Sequence, residues 1–150
     1  MLVNDERVPG HYLSEYLHWD FVAKVGMGYF DGNATKYISR WRKKGGLQDL
    51  QKALHYVDKY IEIFNKDEYK PVLRIDSIAI RAEVDKFSQA NALSPVEQMA
   101  ILQLAAWEGV SDLWVARGLI QSLIDDVESK PVPVSDSNKH ANRAKDPTGW

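Results

Sequence analysis

The sequence contains no cysteine, which excludes disulfide bridges and thiolate metal sites. It also lacks any apolar run of the length that a membrane span requires. The opening residues, "MLVNDERVPGHY", carry no apolar segment of the signal-peptide type. We therefore expect a soluble, cytoplasmic protein with no membrane partner.

Several catalytic signatures are missing as well. There is no G-x-x-x-x-G-K-[ST] phosphate loop, no G-x-S-x-G nucleophile elbow and no H-E-x-x-H metal pair. The 4 histidines do not have metal-ligand spacing, so no metal site is predicted. The formal net charge is −2, whereas nucleic-acid-binding domains usually carry an overall basic excess. We therefore expect no sequence-specific nucleic-acid partner, and any basic patch must be local.

What the chain does contain is helical periodicity. Hydrophobic residues make up 45% of the 150 residues, which is enough for one domain with a core. The clearest helix spans about residues 47–64, where apolar side chains recur every three or four positions. The pair Gly45-Gly46 separates it from a helix over about residues 30–44. These two segments predict a central helical hairpin.

The remaining segments complete an all-α fold of about five helices. A first helix is expected over residues 14–24, with a serine N-cap, and "SPVE" at residues 94–97 matches a capping box. One helical domain is predicted over residues 1–128, with C-terminal helices over 73–128 and a flexible tail over 129–150. Four tryptophans fall in helical segments and are expected to pack in the core: Trp19, Trp41, Trp107 and Trp114.

The stretch "GNATKYISRWRKKGG", residues 32–46, concentrates positive charge on a slightly acidic chain. At roughly 100° per residue, one polar helical stripe collects Asn33, Lys36, Tyr37, Arg40 and Lys44. Arg42 lies roughly 200° from Arg40 and is not expected to contribute. Guanidinium, ammonium, amide and phenol groups together suit a phosphate. The same spacing also fits a solvated face whose cations lie near the helix C-terminus.

A second polar stripe lies on the helix that follows the glycine pair, and it comprises Asp49, Lys52 and Tyr56. A tight hairpin would bring the two stripes to a common cleft. Two plainer interpretations stay open. Asp49 would suit the N-terminal end of the helix dipole, and Lys52 would suit a surface ion pair with Asp49.

The strings "HY", "FDGNATKYISR" and "KKGGLQDLQKALHY" hold many positions at fixed spacing. They resemble a family of small bacteriophage proteins with the pattern HY, then F-x-x-GN-x-x-KY-x-x-R, a basic glycine-containing turn, and DL-x-KA-x-x-Y. The resemblance covers about residues 9–64 and rests on His11, Tyr12, Phe30, Gly32, Asn33, Lys36, Tyr37, Arg40, Gly46, Asp49, Leu50, Lys52, Ala53 and Tyr56. One branch of that family is a nucleotide kinase that lacks a P-loop, phosphorylates deoxynucleoside monophosphates and forms large homo-oligomers. Residues 73–128 have no counterpart in that branch.

The resemblance implies a homo-oligomeric phage protein of the host-cell cytoplasm that binds ATP or another nucleotide and transfers a phosphoryl group. It implies catalytic roles for His11 and Asp49, the latter by positioning a lysine or holding Mg²⁺. Nucleotide or phosphate binding would fall to the two stripes: Asn33, Lys36, Tyr37, Arg40, Lys44, Lys52 and Tyr56. Two rival functions stay open. One is a phage protein that sequesters a nucleotide, such as a host-defence signal, and the other is an oligomeric helical interaction protein.

Overall fold

The computed structural model describes residues 15–66 and 74–130, and these ranges contain helices, turns and loops but no strand. Six helices follow one another in the described part: α1 (His18–Val25), α2 (Tyr29–Arg40), α3 (Leu47–Asn65), α4 (Ser77–Ala90), α5 (Pro95–Ala105) and α6 (Val110–Ser129). The predicted all-α class and the central hairpin, formed by α2 and α3, are therefore confirmed. No helix in these ranges is long and apolar enough to cross a bilayer.

Some predictions concern residues outside the described ranges. These are the segment that carries His11, the Ser14 cap and the predicted tail beyond residue 130. The predicted start of α1 was wrong, because the helix begins at His18. Leu17 precedes it in an extended conformation and contributes no side-chain cap.

Local capping sets the starts of α4 and α5. The Asp76 carboxylate accepts the Ala79 N–H at 2.9 Å and so caps α4. At α5, the Ser94 hydroxyl accepts the Glu97 N–H at 3.2 Å, and a Glu97 oxygen accepts the Ser94 N–H at 2.7 Å. The predicted capping box is therefore confirmed, with Pro95 at the first helical position.

α2 ends four residues before its predicted terminus at residue 44. After Arg40 the chain forms a turn over residues 41–46, in which the Lys43 and Lys44 N–H groups both point at the Arg40 carbonyl. The Gly46 N–H then donates to the Trp41 carbonyl at 2.8 Å. Gly46 has a φ of 57°, which glycine adopts without strain, and this conformation redirects the chain into α3.

The core draws buried side chains from all six helices. α3 packs against α2 on one side and against α6 on the other, while α5 contacts α2, α4 and α6. Trp107 is buried and Trp41 is half-buried, in line with the expectation for core tryptophans. Trp19 and Trp114 are 75% and 53% exposed, so that expectation was wrong for these two residues. Their helices bury other faces, through Phe21 on α1 and Leu113 on α6.

Candidate functional site

The seam between α2 and α3 brings three cations to one aromatic ring. The Lys36 ammonium lies 4.7 Å from the Tyr37 ring centroid, and the Arg40 guanidinium carbon lies 4.8 Å from it. From α3, the Lys52 ammonium lies 5.4 Å from the same centroid. We call Lys36, Arg40 and Lys52 the cationic cluster. Members of both stripes predicted from the sequence therefore meet at this ring.

The helical register explains this convergence. Lys36, Tyr37 and Arg40 fall within two turns of one face of α2, and Lys52 projects from the facing turn of α3. Tyr37 is only 8% exposed, so its ring belongs to the core. The sequence had placed it on a polar surface stripe. Its π face attracts the cations, which offsets part of their mutual repulsion.

Acidic side chains neutralise only part of the positive charge of the cationic cluster. Arg40 pairs with Asp49, with 3.1 Å between Nε and Oδ2. Among the residues that the structure describes, neither Lys36 nor Lys52 forms an ion pair with a carboxylate. Both lysines are half-buried. Within the described residues, the cluster therefore carries an excess of positive charge.

A row of tyrosines continues the seam away from the turn. Tyr56 stacks on Tyr37, with centroids 6.0 Å apart and planes inclined by 16°. Tyr29 meets Tyr56 at 5.8 Å and is 65% exposed. A hydrogen bond with the Tyr29 phenol, together with burial, raises the pKa of Tyr56 to about 12. Asn33 supports this row, because its amide nitrogen donates to the Tyr29 carbonyl at 2.7 Å.

Asp49 has a structural position that the sequence did not predict. It is 1% exposed, and its oxygens accept Arg40 Nε at 3.1 Å, Arg40 Nη2 at 3.4 Å and the Gly45 N–H at 3.0 Å. The ion pair considered between Asp49 and Lys52 does not form in the described structure. No group of three or more histidine or acidic side chains in the described ranges could hold a metal ion. Asp49 therefore binds Arg40 and the turn, and its Mg²⁺ role stays a prediction.

Two further predicted positions fall outside the cluster. Lys44 lies in the exposed turn beyond the end of α2, so it does not extend the helical stripe. Arg42 was not expected to contribute, and it stacks over Trp41 at 4.5 Å and pairs with Glu97 at 2.8 Å. It lies in the turn beyond α2, so the helical wheel does not set its position. His11 lies outside the described residues.

Sequence reasoning missed two groups that adjoin the site. Glu97 is 1% exposed and reaches the turn after α2, although the sequence marked it only as part of a capping box. His18 lies with its Nε2 2.8 Å from the Thr35 hydroxyl. Burial, helped by the charge of Lys36, lowers the pKa of His18 to about 4, so this imidazole is neutral near pH 7. Neither contact has a local sequence signal, because both join distant segments.

Part of the chain matches a known family. Residues 7–58 match the model of a family described as "Protein of unknown function (DUF3310)". The matched range takes in α1, α2 and α3 as far as Asp58, and therefore includes the cationic cluster and the tyrosine row. Comparisons with curated proteins and with solved structures gave no match.

Proposed function

We propose that this protein binds a nucleotide, with the phosphate held at the cationic cluster. The observation that carries the proposal is the approach of Lys36 and Lys52 from two helices to one ring without an acidic partner in the described chain. Lysines on a merely solvated face tend to separate, because like charges repel. A phosphate between them would relieve this repulsion and accept charge-assisted hydrogen bonds from both.

The tyrosine row supports a nucleotide over a simple anion. The exposed ring of Tyr29 offers an aromatic face for a base, and base–aromatic stacking is worth about 1–3 kcal/mol. Tyr29 precedes Lys36 by two helical turns, which corresponds to roughly 10 Å along the axis. In this arrangement the base of a mononucleotide would lie at Tyr29 and its phosphate at Lys36. We therefore place the sugar between the two ends, near Asn33.

The sequence resemblance extends the proposal to phosphoryl transfer. The γ-phosphoryl group of ATP would pass to a phosphate oxygen of a deoxynucleoside monophosphate, giving ADP and a deoxynucleoside diphosphate. Lys36 and Lys52 would contribute by positioning the acceptor phosphate and neutralising its charge. Asp49 would contribute by holding Arg40 and the Gly45 N–H in place.

The test has two stages. Calorimetric titration with each of the four deoxynucleoside monophosphates should give saturable binding, and the bound ligand should raise the melting temperature. Incubation with ATP and the same monophosphates should then yield diphosphates. A nucleotide that binds and is recovered unchanged would replace the kinase with the sequestering function. Absence of binding to all four would contradict the proposal.

We also propose that the protein forms homo-oligomers, as the family resemblance implies. Exposed apolar side chains on α5 and α6 support this proposal: Met99, Trp114 and Val115 are 51%, 53% and 48% exposed. Light scattering at micromolar concentration should therefore give a mass that is a multiple of 17.1 kDa. A monomeric mass would contradict it.

A further inference from the structure

We infer that Glu97 is a positioning residue for the cationic cluster. Through Glu97, the C-terminal helices fix the turn that follows Arg40. This inference rests on the proposed function, because it assigns Glu97 a role in ligand affinity. It also assigns a function to α5, which lies beyond the matched residues 7–58.

The contacts of Glu97 join two distant parts of the chain. Its Oε2 accepts the Trp41 indole N–H at 2.6 Å and the Arg42 Nε–H at 2.8 Å, across 56 and 55 positions of sequence. Its Oε1 accepts the Ser94 N–H at 2.7 Å within the capping box. A capping box needs only the last of these bonds. The two hydrogen bonds that Oε2 accepts are therefore not required for the start of α5.

Burial makes the arrangement specific. Glutamates at the third position of a helix are usually solvated, whereas Glu97 is 1% exposed. A buried carboxylate is tolerated only when donors satisfy its oxygens. Trp41 and Arg42 supply these donors, so the turn and Glu97 each hold the other in place.

The turn matters for the site because Trp41 follows Arg40 directly. Fixing the Trp41 ring against α5 fixes the path of the chain as it leaves α2, and with it the direction of the Arg40 side chain. Pairing with Glu97 also keeps the Arg42 cation on Trp41 and away from Tyr37. Asp49 holds the other end of the turn through the Gly45 N–H. Two buried carboxylates from different helices thus hold the turn that follows Arg40.

The test compares two carboxylate-to-amide substitutions. Glu97→Gln replaces one carboxylate oxygen with an NH₂, so the side chain can accept from Ser94 or from Trp41 and Arg42, but not from both sides. Glu83→Gln is the matched control, since Glu83 is 9% exposed and accepts the Tyr16 hydroxyl at 2.8 Å on α4, away from the turn. Affinity for each of the four deoxynucleoside monophosphates is measured by titration calorimetry, well below the melting temperature of each variant.

We expect Glu97→Gln to weaken binding at least tenfold, and Glu83→Gln to stay within twofold of wild type even though both lower the melting temperature. A Glu97→Gln variant within twofold of wild type would overturn the positioning role and leave nucleotide binding intact. Equal losses from both variants would also overturn it. Absence of binding by the wild type would reject the proposed function and this inference together.

A second pair of variants decides the case if Glu97→Gln does not fold. Arg42→Gln removes the guanidinium that pairs with Glu97, and Lys43→Gln removes the same charge from the neighbouring exposed position. We expect Arg42→Gln to weaken binding by more than Lys43→Gln. Equal affinities for the two variants would overturn the positioning role.

Discussion

The Arg40 guanidinium donates from Nε and Nη2 to the Asp49 carboxylate, which ties the last turn of α2 to the first turn of α3. Asp49 is almost fully buried, whereas the Arg40 side chain is 36% exposed. The pair therefore neutralises a buried charge at the closed end of the hairpin. Arg40 serves the fold as well as the cationic cluster.

Arg40→Ala should consequently destabilise the protein, although its position on a polar stripe suggests a neutral substitution. The change leaves a buried carboxylate with only the Gly45 N–H, and we expect a loss of about 1–3 kcal/mol. Urea unfolding would measure it. The double variant Arg40→Ala, Asp49→Asn should recover part of the loss, because the orphaned charge is gone. Unchanged stability in Arg40→Ala would show that the pair contributes nothing to folding.

Gly45→Ala tests the closed end of the hairpin from the backbone side. A Cβ at this position would overlap the Asp49 carboxylate, which has no room to retreat without losing Arg40. We expect destabilisation by about 1–3 kcal/mol. Gly118→Ala is the control, since an added Cβ meets nothing within 4 Å in the middle of α6. It should stabilise by about 0.5–1 kcal/mol. Similar effects from the two substitutions would contradict this account.

Two buried groups should change the free energy of unfolding in mild acid, and their effects should have opposite signs. Burial, then the Lys36 charge, lowers the pKa of His18 from 6.5 to about 4, so the unfolded chain takes up this proton first. Stability should fall by up to about 3 kcal/mol as the pH drops from 6.5 to 4.

Burial raises the pKa of Asp31 from 3.8 to about 6, against the hydrogen bonds that it accepts from the Gly28 and Gly32 N–H groups. Folded Asp31 therefore binds its proton first, and stability should rise by a similar amount between pH 6 and 3.8.

Substituting one of these groups should reveal the pH dependence that the other group contributes. His18→Gln should gain stability relative to wild type as the pH falls from 6.5 to 4, because only the Asp31 contribution remains. Asp31→Asn should lose stability over the same range. Urea titrations at three pH values within it provide the measurement. A difference between His18→Gln and wild type that does not change with pH would show that the folded His18 pKa is not lowered.

The sequence predicted the parts of the fold that depend on local signals. Apolar spacing identified α3, the Ser94 box located the start of α5, and the glycine pair separated the two helices of the hairpin. The end of α2 could not be predicted in the same way. Glu97 and Asp49 bind the turn after α2 from other helices, and helical spacing up to Lys44 gives no sign of these contacts.

The candidate site was predicted to a similar extent. Helical register correctly grouped Lys36, Tyr37 and Arg40, whereas the position of Arg42 follows from the turn after α2 and its pair with Glu97. It treated Tyr37 as a surface group, because a phenol suits both a polar stripe and a buried ring. The structure puts the ring in the core with the cations around it. Which acid pairs with which cation could not be read from spacing, since Asp49 could reach either Arg40 or Lys52.

The central claim is that Lys36 and Lys52 form a phosphate site, and three alanine variants test it most directly. Lys36→Ala and Lys52→Ala each remove a cation from the Tyr37 ring, whereas Lys43→Ala removes the same charge from the exposed turn. Calorimetric titration with the four deoxynucleoside monophosphates should show a loss of about 1.5–3 kcal/mol for each of the first two variants, or roughly tenfold to hundredfold in affinity. Lys43→Ala should bind as wild type does. Equal losses in all three variants, or no loss in any, would contradict a defined phosphate site at the α2–α3 seam.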